Sequence, residues 1–128
     1  MLEVLVCNNK EEVEKLYKSS DITMPENGLA VRAICGKEML GFSLFEIKEN
    51  SITVLFLTPE NDRLLADGIL RSTLHVGTER GVTKAFYGEK ISEELLAKIN
   101  FLEDREERLL KLQNLFTDCC NCTSKEKG

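Results

Sequence analysis

The side chains that could do chemistry are few and dispersed. One histidine, His75, falls in the middle of a stretch with helical apolar spacing. A single His excludes most multi-histidine metal sites and leaves a His-dependent triad with one candidate. Deep in a helix, His75 reads as a structural or surface residue. Of the five cysteines, Cys7 and Cys35 fall in strand-like runs and read as small buried hydrophobes. Cys119, Cys120 and Cys122 crowd the C-terminal stretch. Zinc usually takes four ligands, and adjacent cysteines are awkward to aim at one ion, so these three read as free thiols and no metal is expected. An odd count without a secretory signal is no disulfide framework. Glu60 and Asp62 precede a helix. They could act as acid or base, although carboxylates there ordinarily complement the helix's positive end. Tyr87 and Glu89 end a strand, a place where ligand pockets form.

These residues must be held by an ordered set of elements. A branched apolar run over 2–6 reads as a strand. Asn8 or Asn9 can cap a helix over 10–19, in which Val13, Leu16 and Tyr17 share one face. A hairpin follows: an alternating strand over 28–35, a turn at Gly36-Lys37, and a return strand over 39–47. The run over 51–57 is continuously apolar from Val54, as in a strand covered on both faces, and Pro59 stops it. Helical spacing over 63–80 places Leu65, Ala66, Ile69, Leu70, Thr73 and Leu74 together. Gly68 and Gly77 weaken that helix or let it approach a sheet, and Gly81 ends it. A strand over 82–87 and a helix capped by Ser92 come next. Asp104 to Glu107 has capping-box spacing, which predicts a further helix over 104–117 carrying Leu109, Leu112, Leu115 and Phe116. Its stripe would pack on the sheet or on a second copy. The domain is expected to span 1–118, with a mobile Cys- and Lys-containing tail over 119–128.

The chain of 128 residues suffices for one domain, and 42% hydrophobic with 30% charged residues is a soluble composition. No apolar run approaches the ~20 residues of a membrane span, and the first residues lack signal-peptide features. A cytoplasmic protein is expected. The net charge of −5 without a basic stripe argues against nucleic-acid binding.

Four short patterns stand in a telling order: Met39-Leu40-Gly41-Phe42 in the hairpin, Leu57 and Pro59 at the strand stop, Gly81-Val82 after the long helix, and Asn100-Phe101. In this order, from Gly28 to Phe101, the chain resembles the GCN5-related N-acetyltransferase (GNAT) family. The resemblance implies an α+β fold, an α/β/α sandwich around a mixed, mostly antiparallel central sheet. It implies acetyl-CoA or another acyl-CoA as cofactor. The backbone of Phe56, Leu57 and Thr58 would hold pantetheine, and Arg63, Leu64, Leu65 and Ala66 would meet the phosphates at a helix N-terminus. Here Leu64 replaces a glycine of the family's loop, Asp62 adds negative charge, and Leu96 stands where the family often has Tyr. Tyr87 is then the candidate acid, and Glu46 or Glu60 the candidate base. The activity implied is transfer of an acetyl group to a small amine by direct attack. The alternative is a catalytically silent scaffold with a protein or small-ligand partner. A homodimer through the C-terminal helix is the expected assembly.

Overall fold

The computed structural model describes residues 2–112. Its elements are β1 (Leu2–Val6), α1 (Lys10–Ser19), β2 (Gly28–Cys35), β3 (Glu38–Lys48), β4 (Ser51–Thr58), α2 (Arg63–Glu79), β5 (Lys84–Tyr87), α3 (Glu93–Lys98), β6 (Leu102–Asp104) and β7 (Leu109–Leu110). They build one sheet in the order β1-β2-β3-β4-β5-β7-β6. Every pairing is antiparallel except β4 with β5, which the α2 crossover makes parallel. This is the mixed, mostly antiparallel sheet that the sequence predicts. No helix among the described residues is long and apolar enough to cross a membrane.

Local chemistry explains most boundaries. Asn9 starts α1, its side-chain oxygen accepting from the backbone of Glu11 at 2.9 Å and Glu12 at 3.3 Å. Gly36 turns the β2–β3 hairpin with φ of 65°, a left-handed conformation that glycine adopts without a Cβ penalty. Helix α2 buries Ala66, Ile69, Leu70, Thr73, Leu74 and Gly77 along one stripe. A Cβ on Gly77 would lie 3.2 Å from Ile52 Cδ1, so this glycine lets the helix close on the sheet, whereas Gly68 faces open space.

The sheet carries a core on each face. Val31, Ala33, Phe45, Ile52, Val54 and Leu57 pack with α2, and Phe101, Leu95 and Leu96 join them. On the other face Ala30 and Leu44 pack with Cys7, Val13 and Tyr17. The buried polar residues Ser43 and Thr73 are paired: their hydroxyls bond each other, and Thr73 Oγ1 also lies 2.8 Å from Ile69 O. The Tyr17 hydroxyl lies 3.0 Å from Phe45 O and 3.1 Å from Leu29 O.

Burial pushes the Tyr17 phenol up to about 12 from its ordinary 10.0, and the nearby Glu46 charge acts in the same direction. Between these values the folded chain keeps a proton that the unfolded chain has lost. Stability is therefore full below about pH 10 and falls as pH rises, by up to ~1.4 kcal/mol per unit from this group. Urea midpoints measured from pH 9 upward should show that slope, reduced in Tyr17→Phe.

Three expectations need correction. Residues 104–112 form no helix: the Asp104 carboxylate accepts from Glu106 N at 2.8 Å and Glu107 N at 3.3 Å, but it caps a turn. Arg108 then adopts φ of 57°, reversing the chain so that Leu109 pairs with Phe86 and Leu110 with Ala85. Sheet pairing outweighs the capping pattern, and Leu109, expected on a helical stripe, is a residue of β7 paired with Phe86, next to the buried Leu110. Residues 113–128, with Leu115, Phe116 and the three cysteines, lie outside the described residues. Cys35 is exposed at the end of β2, while Cys7 is buried but sits just beyond β1. The run over 2–6 is a strand as predicted, but an edge strand with Leu2, Leu5 and Val6 exposed.

Candidate functional site

The site begins where β4 and β5 part. Their parallel pairing runs from Ser51–Lys84 to Val54–Tyr87 and is closed by Gly88 N donating to Val54 O at 2.8 Å. Immediately beyond, β4 bulges: Val54 pairs with Phe45 and Phe56 with Leu44, so Leu55 is the extra residue. A bulge bends its strand and increases the local twist. After it, Phe56, Leu57 and Thr58 pair with β3 alone. Among the described residues no strand covers their other edge. Such an edge offers N–H and C=O groups to an extended ligand carrying amides of its own.

The far end of this edge is held by Gly41. A Cβ there would lie 2.4 Å from Thr58 O, 2.6 Å from Pro59 Cδ and 2.9 Å from Ile69 Cδ1. The Thr58–Pro59 peptide is cis. Bare backbone at 41 thus lets β3, the end of β4 and α2 meet.

Next comes the first turn of α2. Asp62 is its N-cap, the carboxylate accepting from Leu65 N at 3.1 Å and the carbonyl from Ala66 N at 2.9 Å. The helix geometry leaves the N–H groups of Arg63 and Leu64 as the remaining donors of this turn. Leu64 is 87% exposed. A cavity of about 240 Å³ lies between this turn and the start of α3, lined by Glu60, Asn61, Arg63, Glu94, Leu95 and Lys98 together with Ser92. Ser92 caps α3 by accepting from Leu95 N at 3.2 Å.

The predicted binding residues therefore meet: Phe56 to Thr58 form the open edge and Arg63 to Ala66 follow it. Within that group, Ala66 is fully buried and Leu65 packs on the core, so neither side chain reaches a ligand. The three acid–base candidates are not brought together. Directly paired residues project to the same face of a sheet. Tyr87 shares its row with Val54 and Phe45, on the α2 side. Glu46 shares its row with Thr53 and Gly28, on the α1 side near Tyr17. Its Oε1 has no hydrogen-bond partner, with Lys48 Nζ 3.9 Å away. Glu60 is exposed beside the cavity at α2.

Tyr87 donates to Glu93 Oε2 at 2.9 Å. Burial raises its pKa, and the bond to Glu93 with that carboxylate's charge raises it further. Glu93 was visible in the sequence only as a charge in the first turn of α3; nothing in the spacing signalled the bond to Tyr87. His75 lies on the exposed side of α2, 3.3 Å from Glu79, as expected of a surface residue. Among the described residues no group of His, Cys, Asp and Glu is placed to hold a metal ion.

No protein-family model matches the chain, and no curated protein matches it in sequence. Solved structures do. The IAA acetyltransferase from Bacillus cereus superposes with a TM-score of 0.58 at 13% identity, over 77% of this chain and 73% of that one. An acetyltransferase from Bacillus subtilis in complex with CoA gives 0.58 at 11% identity, over 82% and 79%. The ribosomal-protein-alanine N-acetyltransferase from Brucella melitensis gives 0.58 at 11%, over 82% and 93%. At such identities the likeness is one of fold. The chain has the acyl-CoA N-acyltransferase fold of the GNAT proteins.

Proposed function

We propose that the chain binds an acyl thioester, such as acetyl-CoA, with its pantetheine arm along the open edge of β4, and passes the acyl group to a small amine by direct attack. The observation that carries this reading is the parting of β4 and β5 at the Leu55 bulge. It leaves an unpaired strand edge that runs to a helix start, and a chain with amides, such as pantetheine, can pair with such an edge. The thioester supplies an activated acyl carbon: the amine nitrogen bonds to it, the C–S bond breaks, and the sulfur leaves with the proton the amine gives up.

The chain's own contribution is mainly placement. Backbone N–H groups near the bulge orient the carbonyl and stabilise charge developing on its oxygen. The proton-transfer machinery is thin. Tyr87 is the nearest phenol to the strand opening, but Glu93 holds its hydroxyl. Tyr87→Phe is therefore expected to leave kcat within about threefold, whereas loss of a working general acid costs about 100-fold or more. Steady-state rates of the two proteins decide between these.

A second reading, a silent module of the same fold with a protein or small-ligand partner, is favoured by Glu46 and Tyr87 projecting to opposite faces. The test is calorimetry with acetyl-CoA followed by mass spectrometry for amide formation with a panel of small amines. Micromolar binding with amide product supports transfer. Binding without product in any amine favours the silent module, and no binding at millimolar ligand overturns the thioester reading.

A further inference from the structure

We infer that this site recognises its thioester by the pantetheine arm alone, and that Asp62 is the residue that withholds affinity from the adenosine diphosphate end of CoA. The inference rests on the thioester reading above and narrows its ligand class to pantetheine thioesters.

Three observations meet at the start of α2. The first is the cap. A diphosphate continuing the arm beyond Thr58 would arrive at the first turn, where a helix offers unpaired N–H groups to an anion. Here the Asp62 carboxylate is already that anion, 3.1 Å from Leu65 N. The second is the charge around the adjoining cavity. Glu60 and Glu94 line it with Arg63 and Lys98, so two carboxylates face two cations, and the Asp62 cap adds a third negative charge at the helix start beside it. One of those cations, Lys98, is already paired with Glu94 at 3.6 Å. The third is the side chain at 64. Positions 61–66 contain no glycine, and Leu64 stands out from the turn instead of leaving bare backbone. The residues present do not fit a diphosphate. The edge at Phe56 to Thr58 carries no such obstacle.

A pantetheine thioester could reach this edge as a free small molecule or as the prosthetic arm of a carrier protein. The chemistry recognised is the same, and only the bulk beyond the arm differs.

The experiment compares dissociation constants of S-acetyl-pantetheine and acetyl-CoA by calorimetry for the wild-type protein and Asp62→Asn. Asparagine caps a helix as well as aspartate, so the fold should be retained, and an unchanged thermal midpoint checks this. In the wild type the two ligands should bind within about fivefold of each other. In Asp62→Asn, acetyl-CoA should tighten about tenfold, on the order expected for removing one like charge beside an anion, while S-acetyl-pantetheine stays unchanged. Wild-type preference for acetyl-CoA of about 30-fold or more would overturn the inference and leave the thioester reading standing. An Asp62→Asn protein that gains nothing for acetyl-CoA would also overturn it. Binding of neither ligand would overturn both. An acetylated carrier protein serves as a third ligand: tighter binding than free S-acetyl-pantetheine assigns the arm to a carrier, and equal or weaker binding assigns it to the free thioester.

Discussion

Gly41→Ala is expected to destabilise the protein by about 3 kcal/mol and to take the thioester site with it. The new methyl would sit 2.4 Å from Thr58 O and 2.6 Å from Pro59 Cδ, well inside contact distance. These neighbours are backbone and a ring, so they cannot rotate aside as the end of a flexible chain would. The third, Ile69 Cδ1 at 2.9 Å, belongs to a fully buried side chain of α2. Relief must come from moving the end of β4, which is the edge proposed to hold the ligand. With a urea m-value of about 2 kcal/mol/M, the midpoint should fall by about 1.5 M. Gly68→Ala is the matched control: nothing lies within 4 Å of its Cβ, it sits inside the same α2, and it should raise stability by about 0.5–1 kcal/mol. A midpoint loss under about 0.5 M for Gly41→Ala would refute the close approach.

The contrast between these two glycines shows what could be read from the chain and what could not. Both interrupt apolar patterns, and local spacing does not separate them; only the family resemblance, through Met39-Leu40-Gly41-Phe42, singles out Gly41. Local rules served where local chemistry decides. Asn9, Ser92, the turn at Gly36 and the stripe from Ala66 to Leu74 act through neighbours a few residues away, and the elements they predict are present. They failed at Asp104, where the same capping geometry closes a turn because Leu109 and Leu110 find partners on β5. The candidate site was legible as an order of elements. Its decisive details are matters of register. The bulge at Leu55 and the placing of Glu46 and Tyr87 on opposite faces depend on which residue of one strand meets which of another. A slip of one residue would reverse every such assignment.

Phe101→Ala should be the costliest single truncation near the cavity, about 4 kcal/mol. The ring is fully buried, and the Arg71 guanidinium lies 5.3 Å from its centroid, a cation–π contact that adds to its packing. Its backbone links α3 to the residue that follows β7, the N–H donating to Leu96 O at 2.9 Å and the carbonyl accepting from Lys111 N at 2.8 Å. Phe101 therefore pins the end of α3 against α2 and beside β7. Removing the ring leaves a void that α3, a helix of 6 residues, is too short to resist. Phe101→Leu refills most of the space and should cost less than half as much. Hydrogen exchange separates a local from a global effect. In Phe101→Ala the amides of Leu95 and Leu96 should exchange faster by a larger factor than those of Ile69 and Leu70. Since Leu95 and Lys98 line the cavity at the start of α2, loosening α3 would widen it without touching the edge of β4. Binding of S-acetyl-pantetheine should survive in Phe101→Ala at temperatures where the protein stays folded, whereas Gly41→Ala should lose it. Equal losses in both variants would mean that the arm is held between the two helix starts rather than along the strand.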